Sequence, residues 1–168
     1  MGSLYRPNIS VHLNPQPSLE TQVTFISSPA RLAGDGLNFP VSISPAIDVE
    51  NANGAFPMVI LAHFDTGASV SIIDVGLAEH MGLTPTGMEP IMTVGGLCEF
   101  PTYAIGLAFP GSTLAPFAKL PIGSGQLGFD INGDVSRSPN FGLLIGRDVM
   151  SRWSIFWNGP ASSVTIND

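Results

Sequence analysis

Asp65, Thr66 and Gly67 stand just after the apolar run Met58-Val59-Ile60-Leu61 and are followed by Ala68-Ser69-Val70-Ser71-Ile72-Ile73. An apolar run that stops at Asp-Thr-Gly reads as a buried strand breaking into a tight turn, because glycine tolerates backbone angles that other residues avoid. A carboxylate there is positioned rather than merely solvated. Two such groups sharing one proton can activate a water on one side of an amide and deliver a proton on the other. One carboxylate alone cannot do both. The chain has a single Asp-Thr-Gly, and its other aspartates, at Asp35, Asp48, Asp74, Asp130, Asp134, Asp148 and Asp168, lie in no matching strand-turn context.

Other chemistries are poorly served. Cys98 is the one cysteine, which excludes an intrachain disulfide and a cysteine-based metal site. His12, His63 and His80 lack ligand spacing, so neither metal nor cofactor is expected. Six Lys plus Arg against thirteen Asp plus Glu, a net charge of −7, cannot form the basic stripe that a phosphate backbone requires, so nucleic acid is excluded as a partner. Gly and Pro interrupt every greasy segment, and none approaches the roughly 18 residues of a membrane span. The start Met1-Gly2-Ser3-Leu4-Tyr5-Arg6 has no secretory-type apolar core, and together with the lone cysteine this favours an intracellular, cytoplasmic setting. Charged residues make up 11% of the chain, against roughly 25% in ordinary soluble domains. With 44% apolar residues, such a chain has apolar surface to cover, which points to oligomerisation.

The elements that must position Asp65 read mostly as strands. Fifteen Pro and nineteen Gly cut the chain into short pieces: Phe39 to Ser44, Ala46 to Val49, a hairpin turn at Asn51-Ala52-Asn53-Gly54, and Phe56 to Phe64. Pro90 to Phe109 forms a second hairpin centred on Gly95-Gly96, and Trp153-Ser154-Ile155-Phe156-Trp157 with Ser163-Val164-Thr165-Ile166 a closing one. Helix is expected twice. Asp74 caps a short helix from Val75 to Met81 that Gly82 stops, and a second opens at Gly146-Arg147-Asp148 and runs to Trp153. Lys119 to Asn140, rich in Gly, Ser and Asn, reads as a long loop. Residues 1–38, with Pro7, Pro15, Pro17 and Pro29, read as an N-terminal extension, an arm or edge strands, ahead of a domain over residues 39–168.

Asp65-Thr66-Gly67-Ala68 after a hydrophobic strand, the glycine-tipped hairpin, and Gly142-Leu143-Leu144-Ile145-Gly146-Arg147-Asp148 before a short helix together resemble the retropepsin-like aspartic proteases, over roughly Phe39 to Ile166. The resemblance implies an all-β fold, a closed or partly open β-barrel with a flap hairpin and one or two short helices, in a homodimer. It implies an aspartic endopeptidase that cuts extended, largely apolar peptide or protein segments with a water activated by an Asp65 pair across the dimer. Asp65, Thr66 and Gly67 would be catalytic, with Thr66 reaching the partner's backbone and Gly67 leaving room for substrate. Ala68, Val94, Gly95, Gly96, Leu97, Leu144 and Ile145 would contact substrate, and Gly146, Arg147 and Asp148 would support the turn. The other reading of the same fold is a catalytically silent module for dimerisation or peptide binding.

Two positions depart from family patterns. Retroviral members commonly carry an acid where Ser69 stands, so Arg147 needs another partner. Pepsin-like enzymes usually carry Ser where Ala68 stands, and the missing hydroxyl implies a weakly rather than strongly acidic optimum. Residue types allow plainer roles as well. Asp65 can serve as a turn residue that binds backbone N–H groups, His63 as a packed strand residue, and Cys98 as a small apolar one.

Overall fold

The computed structural model describes residues 22–26, 36–46, 57–93, 95–132, 140–161 and 163–168. Among these residues ten strands and two short helices follow one another: β1 Gln22–Ile26, β2 Leu37–Pro45, β3 Met58–Phe64, β4 Ile72–Asp74, α1 Val75–His80, β5 Gly87–Thr93, β6 Gly96–Ala108, β7 Phe117–Gly125, β8 Phe141–Ile145, α2 Arg147–Met150, β9 Ser154–Asn158 and β10 Ser163–Asn167. The all-β expectation holds. The hairpin turn expected at Asn53-Gly54 lies outside the described residues, but the strands on either side, β2 and β3, pair antiparallel from Leu37↔Phe64 to Ile43↔Met58.

Alternation explains the inner strands. In β2, Leu37, Phe39, Val41 and Ile43 are buried while Asn38, Pro40, Ser42 and Ser44 turn outward. In β3, Ile60, Ala62 and Phe64 face the same core, where Phe39 packs on Phe64 with ring centroids 4.2 Å apart. Strand order β2-β3-β8-β4-β7-β6 closes on itself because β2 also pairs with β6, giving a barrel with β5 attached outside to β6. At the closure β6 pairs with β2 on one edge and β7 on the other; a Cβ on Gly106 would lie 2.6 Å from Ser44 Oγ, and the β6–β7 register shifts between Ile105 and Leu107.

Two local readings require correction. Lys119 to Asn140 is not loop throughout, because β7 continues to Gly125. Leu120 and Ile122 are buried, as are Gly123, Ser124 and Gly125. These residues are small because β4 packs directly on them: a Cβ at Gly125 would sit 3.2 Å from Ile72 Cδ1, and Ser124 Oγ donates to the Pro101 carbonyl at 2.6 Å. The second helix is also shorter than expected, one turn to Met150. At the N-terminal side, β1 pairs with the last strand, β10, in a separate sheet of order β1-β10-β9, and β2 begins at Leu37. Trp153, just before β9, packs among the barrel aromatics, edge-on to Phe109 at 5.2 Å.

Candidate functional site

Asp65 leaves β3 where the strand pairs in parallel with β8. Its N–H donates to the Ile145 carbonyl at 3.1 Å, extending the ladder by one rung. Beyond it the chain reverses: Ala68 N–H returns to the Asp65 carbonyl at 3.2 Å, and Gly67 N–H donates to Asp65 Oδ1 at 2.7 Å. A carboxylate oriented by a backbone donor has a fixed direction without an ion pair. Asp65 is half-buried, while Thr66 and Gly67 are exposed. Among the described residues, the Thr66 side chain makes no hydrogen bond within the chain.

The turn is clamped from the β8–α2 side. Arg147 N–H donates to the Ala68 carbonyl at 3.1 Å, and its guanidinium reaches Ser69 Oγ at 2.9 Å and the Thr66 carbonyl at 3.4 Å. Ser69 is therefore itself the partner that Arg147 takes in place of an acid. Gly146 is required by approach rather than by its backbone angle, since a Cβ would fall 2.6 Å from both the Val70 carbonyl carbon and oxygen. Below this contact Ser71, fully buried, bridges the two segments. Its Oγ accepts from Gly146 N–H at 2.9 Å and donates to Asp148 Oδ1 at 2.7 Å, while its N–H donates to Asp148 Oδ2 at 3.0 Å. Sequence reasoning passed over Ser71. The available signal was a hydroxyl inside the apolar run Val70-Ser71-Ile72-Ile73, where a buried polar group must find partners. Asp74 likewise does more than cap α1: besides Gly76 and Leu77 it accepts from the N–H groups of Leu127 and Phe129.

The remaining expected site residues are more dispersed. Gly95, Gly96 and Leu97 lie at the tip of the β5–β6 hairpin, with Gly96 at φ 111° and Met92 and Leu97 exposed. Val94 lies outside the described residues. Leu144 is half-buried, and the Ile145 side chain is fully buried in the core, so its contribution at the turn is its carbonyl. His63, two residues before Asp65, bonds Asn38 Oδ1 through Nδ1 at 2.9 Å and stacks on Phe141 at 4.9 Å. Burial pushes its pKa below the ordinary value, and the nearby Asp65 carboxylate opposes that only in part. Among the described residues no group of three or more His, Cys, Asp or Glu is placed to hold a metal, and no helix is long and apolar enough to cross a membrane.

No protein-family model and no curated protein sequence matches the chain. Solved structures do. A retropepsin-like aspartic protease from Rickettsia conorii superposes with a TM-score of 0.51 at 15% identity, over 87% of this chain and 90% of that one. The EIAV protease in complex with the inhibitor HBY-793 aligns at 16% identity and a TM-score of 0.42, over 82% and 93%. The retroviral protease-like domain of Ddi1 from Leishmania major aligns at 16% and 0.37, over 71% and 79%. The chain has the fold of the retropepsin-like aspartic proteases. The similarity to the Rickettsia protein extends over most of both chains.

Proposed function

We propose that the chain is an aspartic endopeptidase that works as a homodimer. The observation that carries this reading is the half-buried Asp65 turn, whose carboxylate accepts from Gly67 N–H, whose own N–H donates to the Ile145 carbonyl, and whose Ala68 carbonyl accepts from Arg147 N–H. Such rigidity has a use if two copies of the turn meet about a twofold axis and their carboxyl groups share a proton. The ionised Asp65 takes a proton from a water, the protonated one donates to the scissile carbonyl, and the tetrahedral adduct collapses as the leaving nitrogen is protonated. Thr66, with its hydroxyl unclaimed within the chain, is the group that bonds the opposite turn. The β5–β6 hairpin closes over an extended peptide, its exposed Met92 and Leu97 suited to apolar side chains.

Dimerisation has independent support. Among the described residues β9 is an edge strand of its sheet, and Ile155, Phe156 and Trp157 in succession are exposed on it. Both faces of an apolar edge strand in water mark an unfilled interface. The test is cleavage of a diverse peptide mixture between about pH 4 and pH 7, read by mass spectrometry, for the native chain and Asp65→Asn. The amide oxygen of Asn still accepts from Gly67, so the turn survives while the shared proton is lost. Cuts that vanish in the variant are expected. A folded dimer that cuts nothing, or cuts that persist in the variant, overturns the reading.

A further inference from the structure

A cavity of about 390 Å³ opens between Val70 and Ser71, in the segment after the Asp65 turn, and Glu89 and Thr102 of the β5–β6 hairpin. Its apolar walls include Val70, Pro121 and Ile122, and its polar lining includes Thr102, Glu89 and Asp148. Pairing shows how the space arises. Gly87 lies opposite Thr102, and a Cβ on Gly87 would sit 3.2 Å from Thr102 Oγ1, so the missing side chain leaves that face open. Strand alternation puts Glu89 on the same face as Gly87.

The charges are of one sign. Asp148 is held by neutral donors, Ser71 N–H, Ser71 Oγ and Val149 N–H, and Glu89 is exposed on β5. None of the ten residues lining the cavity is Lys, Arg or His. Aliphatic walls below two carboxylates match a long methylene stem that ends in a cation. We propose that this cavity takes a Lys or Arg side chain of the extended peptide, so that an otherwise apolar substrate carries one basic residue at a set distance from the cut bond. The proposal rests on the endopeptidase reading and adds a charge preference to it.

The test compares peptides of one sequence that carry Lys, its neutral isostere norleucine, or Glu at successive positions. With Glu89 exposed, the expected preference for Lys over norleucine at one position is about fivefold in kcat/KM. In Glu89→Gln it falls to within about twofold, while peptides without the basic residue are cut as before. Equal rates for Lys and norleucine at every position, or a preference that survives in Glu89→Gln, overturn the proposal. Binding of the same peptides to Asp65→Asn, read by fluorescence anisotropy, separates this result from the question of catalysis. A Lys preference there that is lost on adding Glu89→Gln supports the cavity even if the native chain cuts nothing. No binding, or equal binding of all three peptides, overturns it even if the chain is a protease.

Discussion

Replacing Ser71 by Ala tests whether the Asp65 turn is held from beneath. The substitution removes two hydrogen bonds, Gly146 N–H to Oγ at 2.9 Å and Oγ to Asp148 Oδ1 at 2.7 Å. Gly146 N–H is then buried without a partner, since Ser71 is 1% exposed and Gly146 is also buried. That alone costs about 1–3 kcal/mol. Asp148 is exposed and keeps its bonds from Ser71 N–H and Val149 N–H, so water replaces most of what it loses and the second bond adds about 1 kcal/mol or less. The sum, about 1–4 kcal/mol, corresponds to a fall in Tm of roughly 3–15 °C for a chain of this size. Urea denaturation at one fixed protein concentration measures it, because association would otherwise move the midpoint. Ser69→Ala is the control: it removes a bond between an exposed hydroxyl and an exposed guanidinium and costs under about 1 kcal/mol. A loss below about 0.5 kcal/mol for Ser71→Ala, or equal losses for the two variants, would refute the assignment of Ser71 as the bridge.

Gly146→Ala drives a methyl group against the Val70 backbone, which cannot rotate away, and costs about 3 kcal/mol or more; calorimetry reads it as a Tm loss at least as large as that of Ser71→Ala. His63 gives a pH dependence. The folded chain favours its neutral form, so as pH falls below the ordinary value of 6.5 the unfolded chain takes up a proton that the folded one refuses. Stability attributable to His63 is therefore full above pH 6.5 and declines from there down to the folded pKa; denaturation midpoints of His63→Gln across pH 5 to 8 should lack that part of the decline, and identical profiles would count against it. Phe156→Lys places a charge on the exposed β9 edge and weakens self-association by about thirtyfold, equivalent to about 2 kcal/mol. Sedimentation velocity over a concentration series reads the change, and an unaltered dissociation constant would remove β9 from the interface.

Features written in local chemistry were legible. Short apolar segments cut by Pro and Gly marked β2 and β3, Asp74 and Gly82 bounded α1, and the Gly95-Gly96 pair marked the hairpin tip. The retropepsin-like fold followed from three such features in order. Features that depend on distant partners were not. Gly123, Ser124 and Gly125 looked like loop chemistry because nothing nearby announces that Ile72 packs on them. Gly106 gave no sign that it stands where β6 is flanked by both β2 and β7, and the role of Ser71 rests on residues 75 and 77 positions away. Ile145 drew attention as a surface contact because it neighbours the motif, yet a fully apolar side chain on an inner strand is more stable in the core.

The bonds that clamp the Asp65 turn from the β8–α2 side join residues 75 to 81 positions apart. A ribosome therefore delivers Asp65 long before it delivers Ile145, Gly146 and Arg147. Until then β3 has no β8 to lie against, and its carboxylate stands on an unsupported loop. Parallel pairing over such a separation is slow, because the chain loses its freedom before contacts compensate. Timing is thereby built into the connectivity: whatever chemistry Asp65 performs can begin only when most of the chain has been synthesised and closed, so a growing polypeptide carries its own delay.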